Sequence, residues 1–379
     1  MSQDTPAQTI DDIRARIDET DRELLEVLAR RMAHVEELST IKRREGLRIR
    51  DHAREDAVLR NRAEWAEQLG LSAEMAESLF RLIMRTSRDR QAERQVQSPP
   101  QTTGKVVAII GAHGGMGQRM SQLFESLGHR VLRVDRDTPL TAAEAARASD
   151  VTLVSVPIGE TEAVIRQVGP HVPLEGALVD VTSLKQGPMA AMLAATQASV
   201  VGTHPMFGPG VHTMQGQRVV LCPGRGEQWA DWLEATLQAG GLTTTRASAE
   251  EHDRAMASVQ VLNHFQTQVL GLTLARLGSP LTESLRFRSP AYLMELYVAA
   301  RHFGQDPALY GPIEMDNPLT PEVTRTFAEA AKCLRDILVG HDQAAFDAVF
   351  AEVRRFFGDF THEATQQSGF LIDRLVERS

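Results

Sequence analysis

Glycines at positions 111, 114, 115 and 117 follow the apolar run Val106-Val-Ala-Ile-Ile110 and precede a helical segment ending near Leu127. After a turn at Gly128, a second apolar run finishes at Asp135. Glycines at a strand-to-helix turn let the backbone approach a pyrophosphate at the helix N-terminus, and an acid at the tip of the second strand accepts ribose hydroxyls. Asp135 lies 18 residues beyond Gly117, close to the spacing such a site requires. The fingerprint reads Gly-x-x-Gly-x-x-Gly, with Ala112 where the common Gly-x-Gly-x-x-Gly would begin. Gly111, Gly114, Gly115, Met116 and Gly117 are therefore expected to contact a dinucleotide, with Val156 and Pro157 after the third strand. A carboxylate at Asp135 repels a 2′-phosphate and so favours NAD over NADP, against which stands the neighbouring Arg136.

A second set of candidates is cationic. Arg14, Arg31 and Lys42 lie along a segment, Ile10 to Glu45, whose apolar residues Ile10, Ile13, Ile17, Leu24, Leu25, Leu28, Met32, Val35, Leu38 and Ile41 recur at helical spacing. Such a helix spans roughly 50 Å, about twice the width of a small domain, and its stripe needs a partner to cover it. Arg31 and Lys42, 11 residues apart, share one face. Arg14 is turned about 100° from that face and lies roughly 42 Å from Lys42, so a pocket holding both requires two chains.

The elements that must carry these residues fall into three stretches. Gly46 is expected to stop the first helix, Arg54 to Leu69 forms a second ended by Gly70, and Ser72 caps a third running to about Gln95. The polar segment Gln95-Val-Gln-Ser-Pro-Pro-Gln-Thr-Thr-Gly104 reads as a linker. Beyond it, short apolar runs at Val106–Ile110, Arg130–Val134, Val151–Val156, Ala177–Val181 and Ser199–Val201 alternate with helical segments, the pattern of a parallel sheet buried on both faces. From Ala249 onward the periodicity is helical again.

Composition narrows the function. With 41 Lys+Arg, 50 Asp+Glu and a formal charge of −9, divided as 18 against 20 over residues 1–97 and 23 against 30 beyond, neither part suits nucleic acid. The start Met1-Ser2-Gln3-Asp4 lacks the marks of a signal peptide and no run is long enough for a membrane span, so a cytoplasmic location is expected. Cys222 and Cys333, 111 positions apart, fit neither a disulfide framework nor a metal site and are expected to be two buried thiols.

The set Arg14, Ile17-Asp18, Asp21, Leu24-Leu25, Arg31, Lys42, Asp51, Arg54-Glu55, Ser87 and Gln91 resembles the all-helical chorismate mutase family over residues 9 to 95. The resemblance implies a cation site for a dianion that rearranges within one molecule, with no covalent chemistry. Arg14 from a partner chain, Arg31 and Arg54 would hold the carboxylates. Lys42 and Gln91 would donate to the breaking ether oxygen, and Asp51, Glu55 and Ser87 would orient the hydroxyl or the binding groups.

Residues 105 to 375 resemble the prephenate dehydrogenase family through Val179-Asp-Val-Thr-Ser183-Leu-Lys185, Gly202-Thr-His204-Pro-Met-Phe-Gly208-Pro, Glu251-His-Asp253, Asn263-His-Phe265 and Ala300-Arg301-His-Phe-Gly-Gln-Asp306-Pro-x-x-Tyr310. His204, on an expected strand-to-loop transition before Pro205, would take the proton of the substrate's C4 hydroxyl as hydride leaves C4 and CO2 departs. Arg301 would pair with a substrate carboxylate. Ser183 and His264 would orient the ring, with Lys185 and Tyr310 nearby. Leu293 stands where a further basic residue is expected from relatives.

Together the resemblances imply a multidomain protein: an all-α intertwined helical chorismate mutase dimer fused to an α/β Rossmann-like dinucleotide-binding domain and an all-α C-terminal dimerisation domain. The expected boundaries are 1–95, a linker at 96–104, 105–248 and 249–379. Chorismate and prephenate would be the substrates, NAD the cofactor, no metal would be needed, and tyrosine would be a feedback inhibitor. Two rivals are a hydroxyacid-type NAD dehydrogenase with a non-catalytic dimerisation arm, which the eight-position polar pocket set disfavours, and a non-enzymatic NAD-sensing regulator, which His204 and Arg301 disfavour.

Overall fold

The computed structural model describes residues 9–45, 51–97, 104–278 and 280–376; Gly46 and most of the expected linker, 98–103, lie outside them. Three helices come first: α1 (Ile10–Arg44), α2 (His52–Gln68) and α3 (Ala73–Gln97). Asp51 caps α2 by accepting from the Arg54 amide at 3.0 Å, Gly70 follows α2 with φ +73°, and Ser72 accepts from the Met75 amide at 3.3 Å at the start of α3. The second half of α1 packs against α3 and buries Val35 and Ser39. The first half is uncovered: Ile10, Ile13, Ile17, Leu24 and Leu25 are 38% to 72% exposed.

The middle of the chain alternates β1 (Val106–Ile110), α4 (Gly115–Ser126), β2 (Arg130–Val134), α5 (Ala142–Arg147), β3 (Val151–Val154), α6 (Ile158–Val168), β4 (Ala177–Asp180), α7 (Gln186–Ala195), β5 (Ser199–Pro205), β6 (Arg218–Arg225), α8 (Glu227–Ala239) and β7 (Thr243–Arg246). The strands form one sheet in the order β2-β1-β3-β4-β5-β6-β7. Val107, Ile109, Leu153, Val179, Val201 and Leu221 meet Phe124, Trp229 and Leu233 in its core.

The sheet is not wholly parallel, as the apolar runs suggested. β6 pairs antiparallel with β5, with a register irregularity at Val200/Val201 where Pro223 and Arg225 stand opposite. A proline is tolerated at such a bulge, and Pro223-Gly224 is why β6 reads as a turn in the sequence. β7, Thr-Thr-Thr-Arg, is an exposed edge without the apolar signature. Pairing with β6 also extends β5 to Pro205, so His204 lies within a strand, opposite Val220, and is buried. Cys222 is buried as expected, but Cys333 is exposed on a helix that buries none of its residues.

The remaining helices are α9 (Ala249–Met256), α10 (Asn263–Leu277), α11 (Leu281–Arg286), α12 (Pro290–Phe303), α13 (Pro307–Met315), α14 (Thr320–Gly340), α15 (Gln343–Phe357) and α16 (Phe360–Val376), with a π-helical turn at Ala257–Leu262 between α9 and α10. Among the described residues no helix is long and apolar enough to cross a membrane. Two compact units result. One holds the described residues up to Val156, Val164–Val181 and Met192–Arg246; the other holds Pro157–Ala163, Thr182–Ala191 and those from Ala247 onward.

Within the second unit, Asp253 fixes the start of α7. Its carboxylate accepts from the Lys185 amide at 3.0 Å and the Gln186 amide at 2.9 Å, the orphan donors of a helix N-terminus, and lies 2.7 Å from His252 Nδ1. Burial works to raise the Asp253 pKa, but the bonds from His252, Gln186 and Lys185 outweigh it and hold it below the usual value. Asp253→Ala leaves these donors buried and unpaired, so urea unfolding should show a loss of about 3 kcal/mol. A loss near zero would mean that the start of α7 is held by something else.

Candidate active sites

In the N-terminal helices, Arg31 on α1 donates through Nη1 to Ser87 Oγ on α3 at 2.7 Å, and Ser87 donates in turn to the Ile83 carbonyl at 2.7 Å. Gln91, one turn beyond Ser87, is buried with its Oε1 unpaired. Glu55, in the first turn of α2, meets Arg88 Nη1 at 2.5 Å. Lys42 is half-buried on α1, and Arg54 and Asp51 are exposed at the start of α2. Arg14 lies apart on the uncovered half of α1, where it pairs with Asp11 at 3.4 Å.

The structure adds a cation absent from the sequence-based set. Arg62 on α2 sits over the rings of Trp65 and Phe80, its guanidinium carbon 4.5 and 5.7 Å from their centroids, and its Nε is buried without a partner. Burial first, and then the charge of Arg62, lower the Arg31 pKa, so two guanidiniums stand close enough to repel. Such a pair is prepared for an anion.

The glycine turn fits a nucleotide. Gly111 has φ +89°, and a Cβ there would come within 2.2 Å of the Ser155 carbonyl oxygen and 3.1 Å of Val156 Cγ1. At Gly117 a Cβ would lie 2.1 Å from the Gly111 carbonyl oxygen, and at Gly115 it would meet Pro209 at 2.8 Å. Gly114 caps α4 without a side chain, and Met116 packs against the core. The backbone is thereby kept bare where α4 begins, and the α4 dipole favours an anion there.

At the tip of β2, Asp135 accepts from the His113 and Arg136 amides, both at 2.9 Å. These bonds and the charges of His113 and Arg136 lower its pKa against the opposing effect of burial. His113, Asp135 and Asp137 bring three potential metal-ligand atoms within 4.8 Å of one another. They lie at the position expected for ribose recognition, and no separate ligand signal accompanies them. Pro157 lies between β3 and α6, its carbonyl accepting from the Glu160 amide at 2.9 Å.

His204 is flanked by Thr203, whose amide and hydroxyl donate to Asp180 Oδ1 at 3.3 Å and to the Asp180 carbonyl at 2.5 Å. The loop after it is tied down by Arg119, which donates to the Pro209 and Val211 carbonyls at 3.0 and 2.9 Å.

The second unit gathers His264 and Tyr310, their rings 4.9 Å apart, with His302 4.1 Å from Tyr310. Gln268 Nε2 donates to Glu314 Oε1 at 2.8 Å and lies 3.1 Å from His302 Nε2, which must therefore accept. His264 Nδ1 stands 3.6 Å from Glu314 Oε1. Ser183 is half-buried, Lys185 is wholly buried, and Arg301 is exposed on α12. Leu293 is buried on α12, an apolar position that offers no cation. Glu314 and Gln268 have no sequence signature, and His302 stands in the run Ala300–Tyr310 without an assigned role; only the turns of α10, α12 and α13 bring the three together.

Comparison with known proteins assigns these features. The family model for chorismate mutase type II matches residues 13–92, that for the prephenate dehydrogenase nucleotide-binding domain matches 121–242, and that for the prephenate dehydrogenase dimerization domain matches 248–352. The T-protein of Haemophilus influenzae is 32% identical over 97% of this chain and 97% of its own length. The chain belongs to the T-protein family. A T-protein of Enterobacter agglomerans is 35% identical over 95% of this chain and 96% of its own. A prephenate dehydrogenase from A. aeolicus, solved with hydroxyphenyl propionate and NAD+, matches at 15% identity and TM-score 0.56 over 68% of this chain and 99% of that one, which places the dehydrogenase part in that fold. As in that family, the chain joins a chorismate mutase to a prephenate dehydrogenase in tyrosine biosynthesis.

Burial, then the charge of His302, push the His264 pKa down to about 4. The unfolded chain, titrating near 6.5, binds the proton that the native state refuses, so stability should fall as pH drops from about 6.5 to about 4. Denaturant titrations across this window should give a shallower pH slope for His264→Gln than for the parent. Equal slopes would show that His264 titrates alike in both states.

Proposed function

We propose that the mutase pocket is completed by a second copy of the chain. Arg14 of that copy joins Arg31 and Arg54 in holding the two carboxylates of chorismate. Lys42 and Gln91 donate to the ether oxygen as its bond breaks, Glu55 and Ser87 orient the hydroxyl and the binding groups, and Asp51 fixes the turn that carries Arg54 and Glu55. The observation carrying this reading is the bond from Arg31 to Ser87, with Gln91 buried one turn away. It is supported by the uncovered first half of α1, where Arg14 lies roughly 42 Å from Lys42 along the axis. Positioning and charge stabilisation are all that an intramolecular rearrangement asks of a protein.

The dehydrogenase works on prephenate, a ring already poised to become aromatic. NAD supplies the hydride acceptor. Gly111, Gly114, Gly115, Met116 and Gly117 hold its pyrophosphate, Asp135 accepts its ribose hydroxyls, and Val156 and Pro157 border it. The Asp135 carboxylate disfavours a 2′-phosphate. His204 takes the C4 hydroxyl proton, so that the carbonyl forms as hydride leaves C4, CO2 departs and 4-hydroxyphenylpyruvate results. Arg301 pairs with a carboxylate. Neutral His264 hydrogen-bonds the substrate rather than pairing with it as a cation, Ser183 and Tyr310 bound the ring, and buried Lys185 supports the loop that carries Ser183.

Chorismate loss and NADH gain, followed together, separate the two sites. Lys42→Ala should abolish rearrangement yet leave NADH formation from added prephenate intact, whereas His204→Asn should slow hydride transfer by about 10²- to 10⁴-fold and spare the mutase. Parallel loss of both activities in either variant would remove that residue from its assigned step. Inactive Arg14→Ala and Arg31→Ala proteins should regain part of the mutase activity when mixed and allowed to exchange subunits. Continued inactivity after verified exchange would disprove shared sites.

A further inference from the structure

A carboxylate in a pocket built for a dianion repels its own substrate unless a cation neutralises it. Glu55 stands on α2 and Arg88 on α3, 33 positions apart in sequence, yet Arg88 Nη1 lies 2.5 Å from Glu55 Oε1 and only about a fifth of either side chain is exposed. Arg88 precedes Gln91 by three residues, which makes the two neighbours on one helix face, and it follows Ser87 directly, about 100° around the same helix. It was not among the residues that resemble the chorismate mutase family, and nothing in helical periodicity distinguishes it from the exposed arginines nearby, Arg85 and Arg90.

We propose that Arg88 is a positioning residue of the mutase: it neutralises Glu55 and fixes its carboxylate so that this acid can accept the substrate hydroxyl beside a dianion. The charge matters because both partners are withdrawn from water, where an ion pair is screened less than on the surface. The geometry matters because Arg88 ties α2 to α3, the helices that carry Glu55, Arg54, Ser87 and Gln91. This inference rests on the role proposed above for Glu55. A simple clamp between two helices would need the ion pair only for stability, and the two possibilities differ in what happens once Glu55 has lost its charge.

The test is a double-mutant cycle in the full-length protein, with NADH formation from added prephenate and thermal midpoint as controls for folding. Arg88→Met keeps the apolar stem and removes the charge. It should lower mutase kcat/KM by about 10- to 100-fold, the scale of a misplaced active-site group, while prephenate oxidation is unchanged. Arg88→Lys, a point charge without the planar fork, should restore part of the loss. In a Glu55→Gln background, itself impaired, Arg88→Met should cost less than about 3-fold. Equal loss in both backgrounds would make Arg88 a clamp only and overturn the inference while leaving Glu55 in place. Full mutase activity in Glu55→Gln would overturn the role of Glu55 and the inference with it.

Discussion

Water excludes apolar surface, and α1 presents more of it than one chain can cover. Over its second half the helix packs on α3, and there Val35 and Ser39 are buried and Arg31 reaches Ser87. Over its first half, Ile10, Ile13, Ile17, Leu24 and Leu25 face outward. The division sorts the cations as well: Arg31 and Lys42 stand on the packed half, and Arg14 on the uncovered half. At the other end of the chain α14, α15 and α16 bury none of their residues, and much of this region matches a dimerization domain. Exposed apolar residues thus concentrate near both ends of the sequence, while β3 and β4 in its middle are fully buried.

Charge inside these helices and strands is handled in one recurring way, by placing an acid where it collects several donors. Asp253 gathers two backbone amides and an imidazole, and Asp135 gathers two amides at the tip of β2. Both acids are kept ionised by those donors in spite of burial. Histidines are treated oppositely. Burial lowers the pKa of both His264 and His302, which favours neutral rings that can donate and accept hydrogen bonds, and His302 on α12 then adds no cation next to Arg301 in the chain.

Much of this was legible in the sequence, for physical reasons that also explain what was not. β1, β3 and β4 announce themselves because strands buried on both faces are largely apolar, as Val106-Val-Ala-Ile-Ile110 and Val151-Thr-Leu-Val154 are, whereas β2, Arg-Val-Leu-Arg-Val, is only partly buried. β6 was hidden by Pro223-Gly224, and β7 by being a polar edge. Gly111 and Gly117 were legible because only glycine fits where a Cβ would meet a carbonyl oxygen. Arg31 and Ser87, which the structure brings together from α1 and α3, were named by a family pattern spread over three helices. Arg88, Arg62 and Glu314 were not, since each meets a neighbour on another helix and such pairings leave no period in the chain. His204 was expected at the end of a strand; the antiparallel neighbour that encloses it was the element the sequence concealed.

The π-helical turn at Ala257–Leu262 holds one residue more than the α-helices it joins would require. Deleting a single residue there could restore regular α-helix with every backbone bond made, leaving the fold intact. Because six residues in the wider π turn sweep about the same angle as five in an α-helix, the helix beyond would keep its direction, and His264 would stay against Tyr310 and Glu314. Over these six residues, chain length can change by one without moving the helix that follows. An insertion or deletion there is absorbed where it falls, and the histidine beyond it keeps its neighbours.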